Sequence, residues 1–246
     1  MRSGLSAVLF DCDGVIADSE QSWNDIDHEH LAHFGVPDYH GQFKPQVLGK
    51  SLPLSEGFYR DTFGIEATLD EMLEHRIGVA QKFYAHKIPL FEGAREVLEW
   101  VRAHGFKIAL ATSSVGALIH PFLARHDLTD LFDSVITGEQ VRQGKPHPDI
   151  YLLAAASVET APAHCLVVED ALSGLQAGRG AGCATVAIPD ARWLDPKNFD
   201  GQSDYRIAAL GELPSLIERI AGSPQGEEAL AGEEAVAGAA RLGGRT

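Results

Sequence analysis

The stretch Ser6–Glu20, SAVLFDCDGVIADSE, decides how this chain is read. Ala7 to Phe10 form a short apolar run closed by a turn signal at Asp13-Gly14, the pattern of a strand buried on both faces. Two carboxylates, Asp11 and Asp13, stand at its end. Carboxylates so near a buried segment cost free energy unless something pairs with them. The DCDG segment is therefore either a surface turn or part of a site that binds a cation or moves a proton.

The segments that follow carry the same grammar. After Ala17, Trp23, Ile26, Leu31 and Phe34 recur at helical spacing and Gly35 stops the run. Two further helical patterns cover Leu54 to Phe63 and Leu69 to His86, with no strand among them. EGAREVLEWVRAHG places Val97, Leu98 and Val101 on one helix face, and KIALATSS is a second buried strand. Helices near Leu118 to Arg125 and Asp149 to Ala156 then alternate with the strands DSVITG and CLVVED. The Gly-rich helix LSGLQAGRGAG leads to the strand ATVAIP and a candidate last strand, YRIAAL.

Strands alternating with helices predict an α/β fold, a Rossmann-like, doubly wound parallel sheet. The segment between the first two strands far exceeds the dozen or so residues that a crossover needs. It predicts an inserted all-helical cap domain over 17–91, beside a catalytic core of 1–16 and 92–222. Open sheets of this kind bind ligands at their carboxyl edge, so the cap is expected to act as a lid. The tail, 223–246, carries the hexads EEALAG and EEAVAG in an Ala, Gly and Glu background, and is expected to be disordered.

Composition narrows the function. A formal net charge of −15 excludes nucleic acid as a partner. It also requires that any anionic substrate meet local positive charge, from a metal ion or a placed lysine. Cys12, Cys165 and Cys183 form no C-x-x-C pair, which points to buried reduced thiols rather than zinc or disulfides. No run reaches membrane-spanning length and no targeting segment opens the chain, so a cytoplasmic protein with no membrane partner is expected. The oligomeric state is open, with a monomer favoured.

Polar residues recur just past four buried strands: Asp11 and Asp13, Thr112 and Ser113, Lys145 in GKPHPD, and Glu169 with Asp170. In a parallel sheet these ends share one edge. Phosphoryl transfer asks for such a set. Mg²⁺ takes oxygen ligands and usually one or two carboxylates, a role that suits Asp11 and Asp170. A carboxylate can attack phosphorus, and Asp13 could protonate the leaving oxygen and then activate water. Lys145 supplies a point charge, and Thr112 or Ser113 with nearby N–H groups would hold phosphoryl oxygens. In HEHLAH, His30 and His33 share a helix face that reads as solvated or packed rather than as zinc ligands.

DCDGV, LAT, GKPHPD and VVEDALSGLQA, in that order, resemble the four motifs of the haloacid dehalogenase-like superfamily of phosphatases and phosphomutases, in its helical-cap branch. The resemblance spans Ala7 to Pro189. It implies that Asp11 is nucleophile and metal ligand, and that Asp13 is general acid/base with a metal-binding main-chain carbonyl. It implies that Thr112 and Lys145 bind phosphate, that Asp170 is a ligand to Mg²⁺, and that Glu169 supports it. The dehalogenases and phosphonate-cleaving members usually lack the second aspartate, so Asp13 points to phosphate esters.

The expected activity is thus a Mg²⁺-dependent phosphatase of a small phosphomonoester, a sugar or related metabolite phosphate. Lys50, Ser51 and Trp23 are the cap residues placed to meet the leaving group. Two alternatives stand beside this: a β-phosphoglucomutase-like phosphomutase, and a non-catalytic binding or regulatory module. Such mutases carry a histidine at the place of Trp23 and an arginine near that of Leu52, which favours the hydrolase. A mere binder has no use for Asp13.

Overall fold

A computed structural model describes residues 4–47 and 52–222. Six strands form one sheet: β1 (Ala7–Phe10), β2 (Lys107–Ala111), β3 (Ser134–Ile136), β4 (Cys165–Glu169), β5 (Ala184–Ala187) and β6 (Tyr205–Arg206). The order is β3-β2-β1-β4-β5-β6 and every neighbouring pair is parallel. β1 is central, with Phe10 in register with Leu110 on one side and Val168 on the other. The acids after β1, the hydroxyls after β2 and the acids of β4 therefore emerge at one level of one edge. The chain leaves β1 toward β2 and β3, then returns to β1's other side at β4. The strand order reverses there, and a crevice opens at the carboxyl ends.

The strands' near-continuous apolar runs are explained by burial on both faces. Successive side chains alternate in direction. Val8, Phe10, Ile108, Leu110, Leu166 and Val168 enter one cluster, with Val97, Leu98 and Val101 of α5 (Ala94–Ala103) and Phe122 of α6 (Gly116–Arg125). α9 (Leu213–Gly222) adds Leu216 and Ile217 to the same layer. Ala7, Leu9, Ala109, Cys165 and Val167 face Ile150, Tyr151 and Ala154 of α7 (Asp149–Ser157) and Ala177 of α8 (Leu172–Gly180). The small residues on this second face let α7 and α8 approach closely. Added to Gly178 of α8, a Cβ would stand 3.1 Å from side-chain atoms of Thr185 and Val167.

Between β1 and α5 lie α1 (Glu20–His33), α2 (Lys44–Val47), α3 (Leu52–Phe63) and α4 (Leu69–His86). A capping box starts α4: Glu71 N donates to Thr68 Oγ1 and Thr68 N donates to Glu71 Oε2. α4 is apolar toward two sides. Met72 joins Leu31, Tyr39 and Tyr59 in a cluster internal to the insertion, whereas Val79, Ala80, Phe83 and Tyr84 pack into the main core. The insertion's entry and exit meet where Ala17 pairs with Leu90 in an isolated antiparallel bridge.

α3 begins at Leu52 rather than Leu54. The sequence reading did not include α2 or α9. Lys50, Ser51 and the tail 223–246 lie outside the described residues. Among the described residues, no helix is long and apolar enough to cross a membrane.

Candidate active site

Asp11 follows β1, and its main-chain N–H donates to Val168 O of β4, which fixes the carboxylate at the strand junction. Lys145 Nζ donates to Asp11 Oδ1 at 2.6 Å, to Glu169 Oε1 at 2.6 Å and to Ala111 O at 3.0 Å. An ammonium has three hydrogens, so these partners satisfy it fully. Lys145 is therefore the counter-charge of the two acids. Contact with a phosphoryl oxygen requires that one partner be shared. Burial alone pulls the ammonium's pKa down, but Asp11 and Glu169 outweigh that and hold it above the ordinary lysine value.

Glu169 is saturated as well. Besides Lys145 it accepts from Tyr151 OH at 2.6 Å and from Ala171 N at 3.2 Å. Gly174 makes room for it, since a Cβ there would fall 1.8 Å from Glu169 Oε1. Glu169 thus orients Lys145, and through it Asp11.

Asp11 and Asp170 are less well compensated. Burial, with the charges of Glu169 and Asp13 added, overcomes Lys145 and pushes the Asp11 carboxyl up to about 7. Burial and the nearby Glu169, Asp11 and Glu20 likewise lift Asp170 well above the carboxylate range. Asp11, Glu169 and Asp170 each offer an oxygen within 4.8 Å of the others. Gly14, at φ +82°, lies against Asp170 so closely that a Cβ would stand 2.0 Å from Oδ2. Two buried, undercompensated carboxylates drawn together in this way fit a hard divalent cation.

Asp13 is held differently. Its Oδ1 accepts from Ser19 Oγ at 2.7 Å and from the Tyr84 hydroxyl of α4, and its Oδ2 accepts from Ser114 Oγ at 2.7 Å. Among the described residues its side-chain partners are these three neutral hydroxyls, an environment that suits a group that gives and takes a proton. Thr112 and Ser113 line the same cavity, and Thr112 Oγ1 accepts from Ser114 N at 3.0 Å. Thr112 thus shapes the turn before α6, whose N-cap is Val115.

The cavity over these groups measures about 480 Å³. Trp23, expected to face the leaving group, lines it. His147 is exposed, and His30 is buried in the insertion against Glu56 and His75. Ser19, Tyr84, Ser114 and Tyr151 were not read from the sequence as site residues. Ser114 adjoins the predicted hydroxyl pair and could have been found there. Nothing local marks Tyr84, which reaches Asp13 from 71 positions away.

A parallel sheet whose switch-point crevice gathers an acid pair, a buried lysine and a second acid pair defines an α/β enzyme that works with carboxylates. The chain belongs to the haloacid dehalogenase-like hydrolases, whose family matches it over residues 8–188. Its kinship is with the phosphatases of that family. It is 27% identical to hexitol phosphatase B of Escherichia coli over 85% of this chain and 94% of the relative. It is 31% identical to the phosphorylated carbohydrates phosphatase of Thermotoga maritima over 72% of this chain and 82% of the relative. The fold also matches CbbY from Rhodobacter sphaeroides, solved in complex with phosphate, at a TM-score of 0.74 and 22% identity over 85% of this chain and 96% of that one.

Proposed function

We propose that this chain is a Mg²⁺-dependent phosphatase of small phosphomonoesters, of sugars or related polyols, acting through an aspartyl-phosphate on Asp11. The observation that carries the reading is the Asp11–Lys145–Glu169 chain, set between Asp13 and the Asp170 carboxylate. The relatives named for hexitol and carbohydrate phosphates support the substrate class. The isolated Ala17–Leu90 bridge supports a division into a core of 1–16 and 92–222 and a cap of 17–91.

Lys145 occupies Asp11 Oδ1, which leaves Oδ2 to attack phosphorus. As that bond forms, the bond from phosphorus to the ester oxygen breaks, and Asp13 gives its proton to the departing alcohol. Asp13 then takes a proton from water, whose oxygen attacks the same phosphorus. The bond to Asp11 breaks and inorganic phosphate is released. Thr112 and Ser113 hold the peripheral oxygens, with the N–H groups of the turn before α6. Mg²⁺, held by Asp11, Asp170 and the Asp13 main-chain carbonyl, would supply positive charge to the phosphoryl group. Glu169 keeps Lys145 in place.

The test is phosphate release from a panel of sugar and polyol phosphates, with Mg²⁺ or with chelator, by wild type and Asp11→Asn. Mg²⁺-dependent release lost in the variant supports the reading. Release that survives Asp11→Asn overturns the covalent route.

A further inference from the structure

The roof of the cavity holds a polar cluster that the chemistry above does not use. Asp27 of α1 and Arg76 of α4 both line the cavity, and both are nearly buried, at 5% and 4% exposure. Arg76 donates from NH2 to Asp27 Oδ1 at 2.5 Å and from NH1 to Glu56 Oε1 at 2.9 Å. Asp27 Oδ2 accepts from Tyr59 OH at 2.8 Å, and Glu56 Oε2 accepts from His30 Nε2 at 2.9 Å. Arg76 Nε is buried with no hydrogen-bond partner among the described residues. Its guanidinium also lies 5.2 Å from the centroid of the Trp23 ring.

A lone arginine in this position would invite a second anion from the substrate. This arginine is not alone: one positive charge faces the two carboxylates of Asp27 and Glu56, which leaves the trio with a net charge of −1. Among the described residues, the other cation lining the cavity, Lys145, is likewise committed to two acids. A second phosphate or a carboxylate on the leaving group would enter against negative charge and find no unpaired cation among the described residues. A hydroxyl can donate to Asp27, and its oxygen can accept from an arginine donor, because a carboxylate oxygen has more than one acceptor site. The remaining wall includes Trp23, Leu52, Leu54 and Phe199, which suit the carbon face of such an alcohol.

We infer that the Asp27–Arg76 pair selects the leaving group, admitting a neutral alcohol with several hydroxyls and turning away one that carries a second anionic group. This rests on the phosphatase reading and names the substrate class within it. It also separates hydrolysis from mutase chemistry, which has to bind a sugar bisphosphate.

Initial rates of the full chain with Mg²⁺ decide the matter. An alditol monophosphate and a hexose monophosphate are set against phosphoglycolate and a hexose bisphosphate. An aryl phosphate serves as an ester with no hydroxyls to read. Wild type should prefer the neutral polyol esters over the anionic ones by roughly 100-fold in kcat/KM, since mispaired polar groups discriminate strongly. Asp27→Asn should cost the polyol esters about tenfold, mainly in KM, and change the aryl ester by less than about twofold. Equal or better use of phosphoglycolate or the bisphosphate by wild type overturns the inference, and needs no variant to be folded. An equal loss on aryl and polyol esters in Asp27→Asn also overturns it, because that pattern marks a structural role. If wild type leaves even the aryl ester intact, the phosphatase reading itself falls, and this one with it.

Discussion

At the residue scale, the energetic weak point is the Asp11 carboxyl, lifted by burial to about 7, well above the ordinary carboxylate range. A carboxyl raised on folding favours the native state in its protonated form. That contribution is present below the unfolded pKa and is lost as pH rises through the folded one. Asp170 is shifted in the same direction. The expected outcome is a melting temperature in chelator that falls between about pH 4 and pH 8. Mg²⁺ should raise it more at pH 8 than at pH 5, because a bound cation takes over the work of the protons. Thermal melts of wild type and Asp11→Asn, with and without Mg²⁺, check this. A wild-type profile as flat as the variant's would show that Asp11 carries no such strain.

At the element scale, α4 ties the insertion to the chemistry through one hydroxyl. Tyr84 packs its ring in the main core and donates to Asp13, beside Ser19 and Ser114. Tyr84 is one of three hydroxyl donors that place the Asp13 carboxylate, the group proposed above to move the proton. Tyr84→Phe is expected to keep the fold and lower kcat roughly tenfold with KM little changed. A kcat equal to that of wild type would reduce Tyr84 to packing. The same element shows what a sequence can reveal. Runs such as AVLF and CLVV are read directly, because a strand buried on both faces needs apolar residues at every position. The acids that follow those runs stand out by contrast, which is why Asp11, Asp13, Glu169 and Asp170 were legible. Their partners are less so. Tyr84 looks like any core tyrosine until the fold brings it across 71 positions, and Arg76 meets Asp27 across 49. Lys145 stood out in GKPHPD, but a loop lysine gives no local sign of its acceptors, here Asp11, Glu169 and Ala111 O.

At the scale of the whole molecule, the formal net charge of −15 opposes the approach of any phosphate ester. Salt screens that repulsion over a Debye length of about 10 Å at 0.1 M. With Mg²⁺ saturating, kcat/KM for a dianionic ester is expected to rise about two- to threefold as ionic strength goes from about 20 to 150 mM, while kcat stays level. Stopped or continuous phosphate-release assays in a neutral salt series measure it. A fall with salt would mean that local positive charge governs encounter.

The pairing of Ala17 with Leu90 has one more consequence. A chain segment that departs and rejoins at neighbouring points can be lengthened, rebuilt or exchanged without altering the register of the sheet it left. On the function proposed above, reaction and substrate choice then sit on separately heritable pieces of sequence, and one scaffold can diversify its diet while its chemistry stands still. The inner side of α4 limits that freedom, for Val79, Ala80, Phe83 and Tyr84 belong to the core. Any graft that altered them would also reach Asp13, through Tyr84.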